Sequence, residues 1–408
     1  MFDHVRRGQI NPNDNPSSRA AVKTVILFIL LTSVAFNRMY SQAFAEFVAR
    51  VESAPDSASR YSLIQEFFSY TTLPVVEGDT VYFLYRGGGS AVAVPGEMNR
   101  WNPSDALMQR IRGTNVWYRG CNLPRNGRVE YKIWVDSTWT LDPLNPKKSR
   151  GGYGENSDLW MPEYVPRSFV DFDTTIPHGT IDTVWLQSKI LRRKHPVFVY
   201  VPSGAAKKRL PTVYVTDGGD YLSLAKMNNI LDHLIAAKKI EPVLGVFVDP
   251  RTDLRDASTN KRMEEYAASD RYVDFLQKEL VPYVEKHYPA RKDPKRRLVM
   301  GASMGGLIST YIVLKRPGFI ANAAAQSPAY FQADGAVIKL VKRIKKPRGN
   351  FYVDTGTIND TENEARLVKD LLEDKHARLR YLELPEGHNW YNWRARLATI
   401  LEHFFSPR

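Results

Sequence analysis

The rhythm of apolar and polar positions changes three times along the chain. Residues 1–23 are polar and basic, and they run into an apolar stretch, 24–36. Residues 59–70 carry the spacing of a short helix. Residues 80–85, 91–94, 115–118 and 129–135 then alternate as short strands, with turn residues at 87–89, 95–96, 112–115 and 124–127 between them. Short strands in close succession, with no long helix among them, predict a small immunoglobulin-like β-sandwich over 65–165. A Pro-rich linker follows, through 142–146, 161–166 and 177–179, and the pattern changes again. Two leading strands at 183–186 and 195–201 precede apolar runs at 210–215, 243–248, 297–300, 321–325, 349–353 and 379–384. Runs that do not alternate suit strands covered on both faces. Between them lie helix-period segments at 221–237, 271–288, 305–314, 363–374 and 390–403. Strand alternating with helix predicts an α/β fold, a doubly wound and mainly parallel sheet, over 175–408.

Composition narrows this picture. A chain of 408 residues, 43% apolar and 25% charged, has room for about two globular domains and is neither disordered nor a polytopic membrane protein. The net charge of +13 favours anionic partners without naming one. A single cysteine, Cys121, excludes a disulfide framework and a cysteine-bound zinc site. The apolar run at 24–36 falls short of the roughly 20 residues that cross a membrane as a helix. It reads as an export signal, with candidate cleavage sites at Ser41-Gln-Ala43 and Ala43-Phe-Ala45, or else as an uncleaved N-terminal anchor within 1–45. Either form predicts a periplasmic or secreted protein whose folded part begins near Glu46. Five tryptophans, Trp101, Trp117, Trp134, Trp139 and Trp160, suggest packing first and stacking on sugar rings second.

The decisive motif is Gly301-Ala-Ser-Met-Gly305, with a strand before it and a helix after it. Ser303 is expected on a tight strand-to-helix turn that lifts its hydroxyl above the sheet, with glycines where larger side chains would strike neighbouring backbone. A hydroxyl needs a base, which in this arrangement is a histidine late in the chain. His388, in Glu386-Gly-His-Asn389 after the last strand, fits; His403 on the terminal helix and His376 before that strand do not. The acid belongs after the penultimate strand, where Asp354, Asp360, Glu362 and Glu364 compete. Asp360 is preferred and Glu362 is next, each with helix capping as its ordinary alternative. Charge developing on a carbonyl oxygen needs preorganised donors. The Met304 amide at the helix start supplies one, and Gly219 or Asp220 in the loop 216–221 the other. Arg251 and Arg262 either clamp an anionic substrate or order their loop by pairing with Glu265.

These residues carry a resemblance. Val215-Thr-Asp-Gly-Gly-Asp-Tyr221, Val248-Asp-Pro-Arg251, Arg262-Met-Glu-Glu-Tyr266, Glu279-Leu-Val-Pro-Tyr283, Gly301-Ala-Ser-Met-Gly-Gly306, Gly356-Thr-Ile-Asn-Asp360 and Gly387-His-Asn-Trp-Tyr-Asn-Trp-Arg394 stand in the order found in a serine esterase family. That family includes enterochelin esterases, feruloyl and acetyl-xylan esterase domains, S-formylglutathione hydrolases and bacterial mycolyltransferases. Through Val81-Tyr-Phe-Leu-Tyr-Arg-Gly87, Val94-Pro-Gly-Glu-Met-Asn-Arg-Trp101 and Leu141-Asp-Pro-Leu-Asn-Pro146, the front segment is similar to the early-set sandwich that precedes enterochelin-esterase-like domains. The resemblance implies an α/β-hydrolase that needs no metal or organic cofactor, with Trp390 in the matching text beside the substrate. Asp217 stands where many serine esterases have histidine.

Three functions compete. The first is a serine carboxylic-ester hydrolase acting on siderophore esters or on acyl and feruloyl polysaccharide esters, with acyl transfer as a variant of the same acyl-enzyme. The second is a non-catalytic glycan-binding protein. The third is nucleic-acid binding through the basic clusters at 207–209, 291–297 and 339–348, which lack a recognised module and read better as solvated helix faces and loops.

Overall fold

The computed structural model describes residues 43–166, 169–205 and 209–407. The apolar stretch at 24–36, the candidate cleavage site at 41–43 apart from Ala43, and the basic cluster at 207–209 apart from Arg209 lie outside them. Among the described residues no helix is long and apolar enough to cross a membrane. The chain divides into two compact units, Met1–Gly88 with Gln109–Asn122, and Gly89–Met108 with Leu123–Arg408. Strands expected in one sandwich over 65–165 are therefore shared between two units.

The first unit pairs two helices, Ala43–Ser53 and Ser57–Tyr70, with an antiparallel sheet in the order Val75–Glu77, Thr80–Arg86, Val116–Asn122, Gln109–Arg110. Asp56 caps the second helix by accepting from the Ser59 amide at 2.8 Å. Phe44 is buried, stacks on Tyr82 at 4.3 Å and donates its amide to Glu77 at 2.8 Å. The candidate cleavage site Ala43-Phe-Ala45 thus lies inside a helix that also contains Glu46.

The second unit opens with two small three-stranded sheets, Val92–Ala93, Ile133–Val135 and Thr138–Thr140, and Arg128–Tyr131, Gly154–Trp160 and Lys148–Gly151. The eight-stranded sheet that follows contains β1 (Thr180–Ser188), β2 (Arg193–Val201), β3 (Thr212–Val215), β4 (Leu244–Val248), β5 (Arg297–Ala302), β6 (Asn322–Gln326), β7 (Asn350–Gly356) and β8 (Arg378–Leu384), in spatial order β1-β2-β4-β3-β5-β6-β7-β8. β1 pairs antiparallel with β2, β2 pairs antiparallel with β4, and β3 to β8 are parallel. Every residue of β3, β4 and β5 is buried, as expected of strands covered on both faces.

The helices are α1 (Gly218–Ser223), α2 (Met227–Ala236), α3 (Arg262–Tyr266), α4 (Asp270–Phe275), α5 (Val281–His287), α6 (Met304–Lys315), α7 (Gln332–Arg343), α8 (Glu362–Glu373) and α9 (Trp390–Phe405). Alternate residues of the strands feed two cores. Val215, Met300, Ala324 and Tyr352 face Leu231 of α2 and Trp393, Leu397 and Ile400 of α9. Tyr214, Val299, Ala323 and Phe351 face Phe275 of α4, Val284 of α5, Ile308 and Ile312 of α6, and Val368 of α8.

Two predicted helices are interrupted. The segment 221–237 breaks before α2, where Lys226 takes φ 51°. The segment 271–288 passes through a π-turn, Leu276–Leu280, between α4 and α5. Pro282 in the first turn of α5 has no amide proton to give a carbonyl one turn back, which removes an α-helical bond at this junction. Helix α7 was not expected, because positive φ at Ala333, Asp334 and Gly335 obscures its start. Its Lys342 and Arg343 are exposed, as solvated helix-face residues should be. Of the five front tryptophans only Trp139 is exposed, so packing accounts for most of them.

Candidate active site

Strand β5 ends at Ala302, and Ser303 follows at φ 58°, ψ −117° before α6 begins. This left-handed conformation strains a residue with a Cβ by about 1–3 kcal/mol and persists only when its surroundings hold it. Three backbone bonds do so: Ser303 N–H to Gln326 O at 2.8 Å, and Ala329 and Leu307 N–H to Ser303 O at 3.0 Å each. The flanking glycines are compulsory. A Cβ on Gly301 would stand 2.7 Å from the Gly305 carbonyl carbon and overlap Thr216 Oγ1, and one on Gly305 would overlap the same oxygen. The Ser303 side chain is therefore presented above the sheet, partly accessible.

His388 and Asp360 come together as the sequence predicted. His388 Nδ1 lies 2.6 Å from Asp360 Oδ1, and since a carboxylate only accepts, the proton sits on Nδ1. Asp360 Oδ2 accepts from Ser327 Oγ at 2.5 Å, Gly356 N–H at 2.6 Å and Thr355 Oγ1 at 3.4 Å. Burial raises the Asp360 pKa, but the hydrogen bond and charge of His388 with the Ser327 hydroxyl outweigh it and hold the carboxyl below its ordinary value. Trp393 Nε1 donates to Ser327 Oγ at 3.0 Å, and the Trp393 ring meets the imidazole edge-on at 4.8 Å. The other candidate acids do other work. Asp354 is buried against Arg396 at 2.9 Å and burial pushes it up to about 6, while Glu362 and Glu364 lie in the first turn of α8.

Ser303 and His388 share no hydrogen bond in this structure. They are linked through adjacent residues: the Ser303 amide binds Gln326 O, and the next residue, Ser327, binds Asp360, which holds His388. The His388 side chain is 36% exposed, and Nε2 has no partner among the described residues.

The expected second oxyanion donor needs correction. The Gly219 amide already donates to Asp249 Oδ2 at 2.9 Å, and the Asp220 amide donates to Asp217 O at 3.0 Å, so neither is free. Gly218, the first residue of α1, is buried, and no described group accepts from its amide, as for Met304 at the start of α6. The strands feeding these two helices are neighbours, β3 beside β5, with Thr216 N–H on Met300 O at 3.0 Å. Gly218 has no room for a Cβ, which would stand 2.6 Å from Val248 N. The sequence held the signal, two consecutive glycines, but not which amide was spoken for.

The arginines take the loop-ordering one of their two expected roles, with other partners than the expected Glu265. Arg251 grips Asp249 through Nε at 2.8 Å and Nη2 at 2.5 Å, and Asp220 at 3.0 Å. Arg262 pairs with Asp217 at 2.9 Å and donates to Ala302 O at 3.1 Å. Both order loops, and neither uses Glu265, which sits 3.3 Å from His195 and 3.6 Å from Arg193. Burial pushes Asp217 up to about 6 despite Arg262. Trp390 packs edge-on against Tyr221 at 5.2 Å and Trp393 at 5.0 Å. The tip of the Lys148–Trp160 hairpin reaches this place: a Cβ on Gly152 would lie 3.4 Å from Trp390 Nε1. Tyr153, at the tip of that hairpin, is fully exposed. Sequence reasoning missed Ser327 and Gly218.

A mixed sheet whose parallel strands lead to a serine elbow after β5, an acid after β7 and a histidine after β8 is the arrangement of an α/β-hydrolase. The chain belongs to the esterase family whose model, described as "Putative esterase", matches residues 188–404, and it is a carboxylic ester hydrolase. It is 24% identical over 272 residues to the iron(III) enterobactin esterase of Escherichia coli (strain K12), covering 59% of this chain and 66% of the relative. It is 26% identical over 254 residues to an endo-1,4-beta-xylanase/feruloyl esterase of Xylanibacter ruminicola, covering 59% of this chain and 33% of that protein. In fold it is similar to a ferric enterobactin esterase from Salmonella typhimurium, with TM-score 0.69 and 19% identity over 83% of this chain and 98% of that one.

Proposed function

We propose that the protein hydrolyses esters through an acyl-enzyme on Ser303. The ester carbonyl is attacked by Ser303 Oγ while His388 Nε2 takes the hydroxyl proton. Asp360, fixed on Nδ1, keeps Nε2 able to accept and stabilises the imidazolium that forms. The tetrahedral oxyanion is held by the amides of Met304 and Gly218 at the starts of α6 and α1. His388 returns the proton to the leaving alkoxide, and a water molecule then repeats the sequence on the acyl-enzyme. The observation that carries this reading is the 2.6 Å His388–Asp360 hydrogen bond, two loops away from a strained serine at φ 58°. Exposure of the imidazole lets water in and supports hydrolysis over acyl transfer.

The substrate we propose is a small ester bearing hydroxylated aromatic rings, of the class of catecholate siderophore esters. Two things support it over a polysaccharide-bound feruloyl ester. The iron(III) enterobactin esterase is matched over 66% of its own length and the xylanase/feruloyl esterase over 33% of its own, each over 59% of this chain. The surplus of +13 also suits an anionic substrate. Labelling by a fluorophosphonate probe should vanish in Ser303→Ala, together with ester hydrolysis; a variant that keeps either refutes the mechanism. Comparing a tris-catecholate lactone, methyl ferulate and acetylated xylan tests the substrate. At least a tenfold preference in kcat/KM for the lactone is expected, about 1.4 kcal/mol in transition-state binding, and a preference for either of the others overturns the choice.

A further inference from the structure

The loops that carry Asp360 and His388 are held by residues far away in the chain. Residues Glu97–Asn99 form a single 3₁₀ turn after the short strand Val92–Ala93, and Glu97 is buried. Its Oε1 accepts from Asn389 Nδ2 at 2.6 Å, and its Oε2 accepts from the Glu130 amide at 2.9 Å. Its main-chain oxygen accepts from Asn359 Nδ2 at 3.0 Å. Gly387 leaves no space between itself and Glu97, since a Cβ there would overlap the Glu97 carboxylate. One residue therefore touches both neighbours of His388 and the residue preceding Asp360.

A second side chain completes the hold. Arg128, wholly buried, donates from Nη1 to Asn389 Oδ1 at 3.1 Å and Asn392 Oδ1 at 3.0 Å. It is anchored in turn by Glu130 at 3.0 Å and Asp158 at 2.9 Å, and its guanidinium lies 3.9 Å from the Tyr391 ring centroid. Asn389 caps α9 by accepting from the Asn392 amide at 2.9 Å, so its carboxamide has no freedom to turn over without placing its NH₂ against Arg128 and that amide. A buried polar cluster of this kind specifies one arrangement when every member is satisfied and tolerates no partial version of it. It is costly to build, and stability alone is served as well by apolar packing.

Resting on the acyl-enzyme reading above, we propose that Glu97 is a positioning residue for ester hydrolysis: it locks the Gly387–Asn389 and Asn359–Asp360 segments together, so that the imidazole meets both its acid and the Ser303 hydroxyl. The front strands thereby serve the catalytic histidine, whatever else they bind.

The test uses the full chain with Glu97→Gln and Glu97→Ala. Glutamine keeps the volume but offers one acceptor where two donors, Asn389 Nδ2 and the Glu130 amide, need one each. The expected result is a 10- to 100-fold fall in kcat with KM within twofold, for short p-nitrophenyl esters and larger substrates alike. The low-field proton resonance of His388 Nδ1–H should shift or broaden in step. Tyr200→Phe, which loses the buried Tyr200–Asp232 bond of 2.6 Å between β2 and α2, is the control for stability and should keep both kcat and the resonance. A folded Glu97→Gln with wild-type kcat and an unmoved resonance overturns the proposal, as does an equal loss in Tyr200→Phe. If neither Glu97 variant folds, Asn359→Ala decides: a three- to tenfold loss of kcat supports the proposal and wild-type kcat overturns it. Ser303→Ala that still hydrolyses esters would sink the acyl-enzyme reading itself, a different failure from an unaffected Glu97 variant.

Discussion

Replacing Asp360 by asparagine changes one atom and, by the geometry of its pocket, reverses a proton. Asp360 Oδ2 faces Gly356 N–H at 2.6 Å and Ser327 Oγ at 2.5 Å, while Oδ1 faces His388. The Ser327 hydroxyl can rotate, but the Gly356 amide can only donate. Turning the new carboxamide NH₂ toward it would leave two buried donors facing each other, at about 1–3 kcal/mol. The carboxamide oxygen therefore stays on the Gly356 side and its NH₂ points at His388 Nδ1, which must then accept. A neutral imidazole held this way carries its proton on Nε2 and cannot take one from Ser303. The expected loss in kcat is about 10⁴, roughly 5 kcal/mol, with little change in KM. Steady-state hydrolysis of a p-nitrophenyl ester, alongside active-site titration and a thermal melt to confirm folding, measures it. Asp354→Asn is the comparison: it loosens the buried Arg396 pair of 2.9 Å and should lower the melting temperature while leaving kcat within tenfold. Asp360→Asn retaining more than a tenth of wild-type kcat would refute the assignment of the acid.

Two other outcomes follow from particular residues. Burial pushes Glu265 up to about 8 from an ordinary 4.5, against the opposing charge of Arg193. The folded state then holds a proton that the unfolded chain releases, so this group's contribution to stability is full below about pH 4.5 and declines until about pH 8. Glu265→Gln should abolish that decline and be more resistant to urea than wild type at pH 9 but not at pH 5; parallel curves at both pH values would contradict it. Tyr153, fully exposed at the hairpin tip that reaches Trp390, should matter only for aromatic substrates. Tyr153→Ala is expected to raise KM for an aromatic acid ester by about 2- to 10-fold, from a lost ring contact of about 0.5–1.5 kcal/mol, and to leave methyl butyrate unchanged. An equal effect on both esters would remove Tyr153 from substrate recognition.

Much of the catalytic half was legible because its signals are local. Apolar runs such as 243–248 sit within a residue of β4, and Gly301-Ala-Ser-Met-Gly305 needed only its neighbouring strand and helix to be read as an elbow. Chain order then singled out His388 and Asp360. The failures have a common cause, namely competition for a partner that sequence does not display. Gly219 looked like a free amide until Asp249, 30 residues on, claimed it. Arg251 and Arg262 were read as anion clamps or as partners of Glu265, and their carboxylates are instead Asp220, Asp249 and Asp217.

The same reasoning explains why the support of the catalytic loops was invisible. Arg128 and Asn389 are 261 residues apart, and Glu97 and Asn389 are 292 apart. Nothing local marks Glu97 as buried; a carboxylate in a loop reads as a solvated one. Yet a loop such as 385–389, lying between β8 and α9, has few backbone bonds of its own and must be fixed from outside if its histidine is to serve as a base. The large sheet fixes where Ser303 emerges, while a 3₁₀ turn and a small front sheet supply the buried Glu97 and Arg128 that bond to the histidine loop. A catalytic domain cut free of residues 89–160 would keep its elbow and lose that grip, so the serine's presence in a related fragment does not by itself ensure a competent base.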